Sequence, residues 1–328
     1  MDYARAEAKA AARERFHGVW AAITTPFAAS GGIDEAGLAA DLDRVVGELE
    51  VDGVFCTGVM SEFWALSTDE RKRMVERVVA EVRGRCGVIA HTGHTSVTET
   101  IEFTRHAAAA GADFAVIINP YYPPASDEAL YEWFESVCRS VEIGVWLFDT
   151  AYAGFALSRE LLDRLADLEN VCGIKVGHGH AHYLDTLALV GDRLLVCEPD
   201  EGSLLEDIRD HGAQVFMSSA APYLYQRPDW RPMHEYVQLA LAGDYDRAAE
   251  VSALLDPVRR VAAEWINGPW KQSRVNPVPL IKAWSGLLGM SGGPVRPPLR
   301  QADPDRVARL AADLQAAGLL SEPVSLAG

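Results

Sequence analysis

Eight short apolar, β-prone runs recur along the 328-residue chain, each followed by a stretch of helical period, and this alternation limits the fold more than any other feature. The runs are Val19–Thr25, Gly53–Thr57, Val88–His91, Phe114–Asn119, Gly144–Phe148, Cys172–Lys175, Leu194–Cys197 and Gln214–Met217. Between them lie segments such as TDERKRMVERVVAEVRG and DEALYEWFESVCRSV, whose apolar residues fall at i, i+3, i+4 and i+7. Strict alternation predicts a parallel sheet with helical crossovers, and eight units predict closure into a (β/α)8 barrel, an α/β fold, over residues 18–232. Ser67-Thr68-Asp69-Glu70 and Ser126-Asp127-Glu128 place capping groups ahead of two of the helices.

From Met233 to Leu320 the pattern is helical, broken by expected loops at Asn267–Asn276 and Ser291–Pro298. A C-terminal helical extension over 233–328 is expected to pack on the barrel. Residues 1–17 read as a flexible or helical extension, with the first dozen and the last few residues expected to fray.

A formal charge of −17 argues against a nucleic-acid partner, because phosphate binding needs clustered Lys and Arg. The five cysteines are scattered without a C-x-x-C pair, so neither a disulfide framework nor a zinc knuckle is expected. No apolar run approaches the ~20 residues of a membrane span, and the N-terminus has no apolar core of a signal sequence, so a cytoplasmic protein without a membrane partner is expected.

In an eight-fold barrel the chemistry sits where strands end. There the chain offers Thr24 and Thr25, Gly58 to Glu62, His91 and His94, Tyr121 and Tyr122, Phe148 and Asp149, Lys175, Glu198 and Asp200, and Ser218 and Ser219. Lys175 closes the otherwise apolar Val-Cys-Gly-Ile-Lys run. If Ile174 packs against helices, alternation turns Lys175 into the barrel. Desolvation there favours the neutral amine, a nucleophile for carbonyl carbon. On position alone the alternative is a strand-end lysine paired with a carboxylate such as Glu198.

Several motifs, in order, carry a resemblance: Ala22-Ile-Thr-Thr-Pro-Phe27, Thr57-Gly-Val-Met-Ser-Glu-Phe-Trp-Ala-Leu-Ser67, Asn119-Pro-Tyr-Tyr-Pro123, Gly173-Ile-Lys175, Asn276-Pro-Val-Pro279 and Gly293-Pro-Val-Arg-Pro-Pro298. The chain resembles the family of dihydrodipicolinate synthase and N-acetylneuraminate lyase, class I aldolases and related lyases on a (β/α)8 barrel. The resemblance implies that Lys175 is the Schiff-base lysine, that Thr25, Gly58, Val59, Met60 and Phe148 surround the substrate, that Tyr122 helps form a proton relay near a subunit interface, and that the assembly is a homotetramer.

The departures are as informative. Where the family carries Gly-Thr-Thr-Gly-Glu or a close variant, this chain has Gly58-Val-Met-Ser-Glu62, so two hydroxyls are replaced by apolar side chains. Where the family has a catalytic tyrosine, it has Phe148, followed by Asp149. The arginine that the synthases carry shortly afterwards is missing from Tyr152-Ala-Gly-Phe155, which argues against dihydrodipicolinate synthase itself. A general acid or base is therefore sought in Tyr122, Asp149, His91, His94 or His178. His91, His94 and His178 are also expected as donors to an anionic group of the substrate, with Ser218 at the last strand end. Zinc at His178-Gly-His-Ala-His182 would require an extended loop, which two glycines oppose; a substrate loop or a solvated surface is expected, with neither metal nor cofactor. Phe63 and Trp64 suggest a bulkier, more apolar pocket than a pyruvate site.

The function expected is a Schiff-base lyase of the aldolase type, acting through Lys175 on a 2-oxo acid or related carbonyl compound. The alternatives are a hydratase or dehydratase on the same scaffold, a catalytically diminished barrel that binds a small oxo acid or sugar acid, and a metal-assisted hydrolase at the histidines.

Overall fold

The computed structural model describes residues 2–320. All eight expected runs are strands: β1 (Gly18–Ala22), β2 (Gly53–Cys56), β3 (Gly87–His91), β4 (Phe114–Ile118), β5 (Gly144–Thr150), β6 (Val171–Gly177), β7 (Leu195–Cys197) and β8 (Val215–Ser219). They form a parallel sheet in the order β7-β6-β5-β4-β3-β2-β1-β8. β1 hydrogen-bonds to both β2 and β8, which bends the sheet round on itself. At the seam the Cys197 thiol reaches across to the Met217 carbonyl oxygen at 3.7 Å, so the barrel is nearly closed.

Side chains along the strands alternate with period two. Trp20, Phe55, Phe114, Trp146, Phe148, Cys172 and Met217 fill the interior. Val54, Val88, Ile117, Leu147 and Ile174 face the helical layer. The two largest interior rings need bare backbone opposite them. A Cβ on Gly53 would lie 2.2 Å from the Trp20 ring, and one on Gly173 would lie 2.5 Å from Trp146.

The caps form where the sequence places them. The Ser67 hydroxyl accepts from the Glu70 N–H at 3.2 Å while the Glu70 carboxylate accepts from the Ser67 N–H at 2.9 Å, opening the helix Thr68–Val82. Ser126 caps the helix Asp127–Ser140 in the simpler way.

The first residues, expected to fray, are instead ordered by burial. Helix Ala8–Arg15 presents Ala8, Ala11 and Ala12 to the barrel, and the small side chains let it approach closely. It delivers Phe16 into the interior, with ring centroids 4.2 Å from Trp20, 4.8 Å from Phe114 and 4.4 Å from Trp146. An Ala-rich run carries no period that distinguishes this plug from a solvated helix. The expected fraying of the last few residues concerns positions outside the described ones.

Beyond β8 the chain is mostly helical from Pro232 to Ala316, and the expected break at 291–298 falls in a non-helical stretch over 288–303. The stretch 267–276, expected as a loop, contains the helix Gly268–Ser273, which runs on without a break from the helical segments Asp256–Ala262 and Ala263–Asn267. Helix Val278–Leu287 carries Lys282, fully buried and 2.5 Å from the Glu62 carboxylate. Glu62 also accepts from the Arg296 N–H at 2.9 Å, and the Arg296 guanidinium is 2.7 Å from Glu70. The C-terminal region thereby fixes the loop that follows β2.

Replacing Phe16 by Ala is expected to destabilise the protein by about 3–5 kcal/mol, the usual cost of emptying a buried aromatic site. Urea unfolding measures this; an unchanged midpoint would show that the helix Ala8–Arg15 and Phe16 add nothing to the core.

Candidate active site

The C-terminal ends of the strands surround a cavity of about 380 Å³. Its wall includes Ala22 from β1, Phe55 from β2, Phe148 and Thr150 from β5, Lys175 from β6 and Ser219 from β8, with Val59, Met60, Tyr152 and Trp270 from neighbouring segments. The Tyr152 and Trp270 rings stack 4.0 Å apart, so the helix Gly268–Ser273 takes part in roofing the mouth.

Lys175 is 4 % exposed, with its Nζ 5.0 Å from the centroid of Phe55 and 4.8 Å from that of Phe148. Burial pulls its ammonium down to about 8 from the ordinary 10.5. At pH 7 about one such lysine in ten is neutral, against about one in three thousand at the ordinary value, a gain of several hundredfold in nucleophile. The carboxylate considered as its partner, Glu198, is engaged elsewhere: it accepts from His180 Nδ1 at 2.9 Å and from the Ser203 hydroxyl.

Of the residues expected at the site, Lys175, Val59, Met60 and Phe148 line the cavity. Asp149 does not. Phe148 takes the interior face, so the next side chain points outward, where Asp149 is fully buried and accepts from Asn119 Nδ2 at 3.1 Å and the Leu157 N–H at 3.1 Å. His178 and His182 approach its two oxygens at 3.2 and 3.0 Å. Burial opposes its charge, but the hydrogen bonds and charge of His178, with help from His182 and Leu157, outweigh that and hold the carboxyl below its ordinary range.

Thr25 is fully buried, does not line the cavity and donates to the Ser61 carbonyl at 2.8 Å. Gly58 sits over Phe55, where a Cβ would come within 2.6 Å of the ring. His91 is buried with Nδ1 3.1 Å from the Thr57 carbonyl, and burial keeps it neutral; its ring packs 4.6 Å from Phe63. His94 accepts from the Ser96 N–H at 3.0 Å within its own loop. His178 belongs to Asp149. None of these histidines lines the cavity: His91 is held by a loop carbonyl, His94 by a backbone N–H of its own loop and His178 by the Asp149 carboxylate. Tyr122, 71 % exposed, projects from the loop after β4 and is not brought to the cavity of its own chain. Ser218 falls on β8 and its side chain lies outside the described residues.

The three imidazoles at 178–182 do not converge. His178 and His182 meet Asp149, whereas His180 turns to Glu198 and to Asp207, 3.7 Å away. Thr150, Tyr152 and Trp270, which are not among the site residues expected from the sequence, also line the cavity, as does His180 of the expected substrate loop. Thr150 and Tyr152 were open to detection, since they close or follow β5; Trp270 was hidden because its helix reads as a loop.

A nearly closed eight-fold barrel with a desolvated lysine at a strand end defines a class I aldolase-type lyase. The chain belongs to the dihydrodipicolinate synthetase family, whose model matches residues 15–317. It is 32% identical to a 4-hydroxy-tetrahydrodipicolinate synthase of Methanothrix thermoacetophila over 90% of this chain and 95% of that one. It is 33% identical to an uncharacterized DapA-like lyase of Halobacterium salinarum over 93% of this chain and 95% of its relative. Among solved structures, dihydrodipicolinate synthase of Aquifex aeolicus superposes with a TM-score of 0.80 at 26% identity, covering 93% and 99% of the two chains. YagE, a prophage protein of this family from E. coli K12 solved in complex with pyruvate, gives a TM-score of 0.80 at 29% identity, with 93% and 99% covered.

Asp149 titrates below the ordinary aspartate value of 3.8, so its stabilising contribution is complete above that value and is lost as the pH falls through the folded-state value. Asp149→Asn is expected to cost about 3 kcal/mol at pH 7, as breaking a buried charged network does, and to flatten the loss of stability between about pH 5 and pH 2. Urea unfolding across that range checks both; identical acid slopes in the two proteins would contradict the assignment.

Proposed function

We propose that the protein is a lyase in which a 2-oxo acid condenses with Lys175, and the observation that carries this reading is a buried lysine, lowered to about 8, on the wall of the strand-end cavity. The neutral amine attacks the keto carbon, the carbinolamine loses water, and the resulting iminium accepts the electron pair of a C–C bond broken one carbon away. In the condensing direction the same enamine attacks an aldehyde or imine carbon. Loss of a β-hydroxyl as water uses the same electron sink, which makes a hydratase the variant nearest to the aldolase. Pyruvate is a suitable first ligand, since YagE of the same family was solved with it.

The chain is strongly acidic, so the substrate carboxylate needs local donors. In the loop after β2 the Ser61 and Phe63 N–H groups donate to the Gly58 carbonyl and that of Glu62 to Val59, which points to the N–H groups of Val59 and Met60 as the carboxylate donors. Proton transfer falls to the hydroxyls on the wall, Thr150, Tyr152 and Ser219, in place of those the family carries where Val59, Met60 and Phe148 stand. Burial pushes the Tyr152 phenol up, so it is a proton donor rather than a base at neutral pH. With Phe55, Met60, Phe148 and Trp270 around the lysine, the rest of the substrate is apolar and bulky.

A second reading, a barrel that holds the oxo acid without turning it over, is favoured by Val59, Met60 and Phe148, apolar where the family carries hydroxyls. Exposed Tyr121 and Tyr122 support association between copies of the chain, and we propose a homotetramer in the cytoplasm. Among the described residues no helix is long and apolar enough to cross a membrane.

Incubation with pyruvate and bulkier 2-oxo acids, followed by borohydride, is expected to leave a reduced adduct on the peptide that contains Lys175 and none in Lys175→Ala. The trapping rate should rise with pH and level off above about 8, because the amine is neutral there. Absence of any adduct, or an adduct that survives Lys175→Ala, would sink the proposal. Trapping without turnover of any hydroxylated oxo acid would favour the binding protein.

A further inference from the structure

Beside the cavity, in the layer between β7 and the outer helices, three ionisable side chains meet without balanced charge. Glu198 follows β7, Asp207 lies on the helix Leu204–His211 and His180 opens the helix His180–Val190. Glu198 and Asp207 are both buried, the latter 2 % exposed, and their carboxyl groups are in contact. Burial first, and the charge of Glu198 second, raise the Asp207 carboxyl. The imidazole of His180 is raised in turn, chiefly by its hydrogen bond to Glu198. Two touching carboxylates removed from water need a cation or a proton between them.

Asp207 Oδ1 is buried and accepts no hydrogen bond among the described residues, yet it faces His180 Nδ1 at 3.7 Å. Glu198 Oε1 approaches the same nitrogen at 2.9 Å. One donor atom from each of the three residues lies within 4.8 Å of the others. Ligands at about 2.1 Å from a tetrahedral ion stand about 3.4 Å apart, a spacing that 2.9 and 3.7 Å bracket.

We propose that His180 Nδ1, Glu198 Oε1 and Asp207 Oδ1 bind a divalent transition-metal ion, with Ser203 steadying Glu198 through its hydroxyl. One imidazole and two carboxylates suit zinc or manganese. The ion joins the end of β7 to two helices and fixes the cavity wall at His180 and Glu198, both of which line it. Glu206 and His211 surround His180 on its solvent side and add negative charge and a further imidazole. The site is independent of the chemistry at Lys175, which needs no metal.

The test uses the full chain, stripped with EDTA and titrated separately with zinc chloride and manganese chloride by calorimetry. One of the two ions is expected to bind at one per chain and to raise Tm. Asp207→Asn and His180→Gln are each expected to weaken binding by about 100-fold or more and to abolish the Tm shift. No binding of either ion to the wild type would leave a shared proton as the occupant and overturn the proposal. Equal affinity in wild type and variants would place the ion elsewhere and overturn it equally. Should Asp207→Asn not fold, His180→Gln, at a half-exposed position, makes the comparison alone.

Discussion

The withdrawal of the Lys175 ammonium from water is the constraint on which the rest of this structure depends. Desolvation of a buried ammonium is unfavourable even with two phenyl rings beside it, and the protein sustains it because the barrel beneath is solid. Phe16, Trp20, Phe114 and Trp146 fill the interior from the N-terminal end, so solvent reaches the lysine only through the mouth. The same packing that supports the fold thus lowers the amine to about 8 and leaves more of it neutral near neutral pH. Stability and reactivity come from one arrangement of rings.

The mouth is organised by charges that sit outside it. Glu62, in a left-handed turn after β2, is held by Lys282 and the Arg296 backbone from the C-terminal region, and this fixes the loop that carries Val59 and Met60 over the lysine. A fully buried ion pair of this kind adds little net stability, since desolvation offsets the attraction, but leaving either partner alone is costly. Its effect is on position: the loop has one place to sit. Asp149 works similarly behind β5, where two histidines, an asparagine and a backbone N–H lock the strand end that presents Phe148 and Thr150 inward.

The strands were legible because each is an apolar run closed by polar or small residues, and their order follows from alternation. Lys175 was legible because one charged residue ends such a run. The side-chain assignments around it were less so. Asp149 and Phe148 are adjacent, and which of them faces the cavity depends on strand register, where one residue of slip exchanges the two faces. His91, His94 and His178 sit at strand ends as expected, yet none lines the cavity: His91 and His178 turn to Thr57 and Asp149, 34 and 29 positions away, and His94 to Ser96 in its own loop. A helix was among the readings of residues 1–17, but the docking of Ala8–Arg15 on the barrel was not legible, because alanines pack closely without leaving a strong period.

By itself the sequence determined the eight-fold barrel, the helical C-terminal region and the placing of Lys175 at the end of β6, since these rest on local periodicity and on chain order. Only the tertiary structure decided which strand-end groups meet. It sent Asp149 to two histidines, His180 to Glu198 and Asp207, and Trp270 to Tyr152 over the mouth. Contacts between residues far apart in the chain, 118 positions for Tyr152 and Trp270 and 234 for Glu62 and Arg296, depend on closure of the barrel and on the docking of helices, and no local pattern records them.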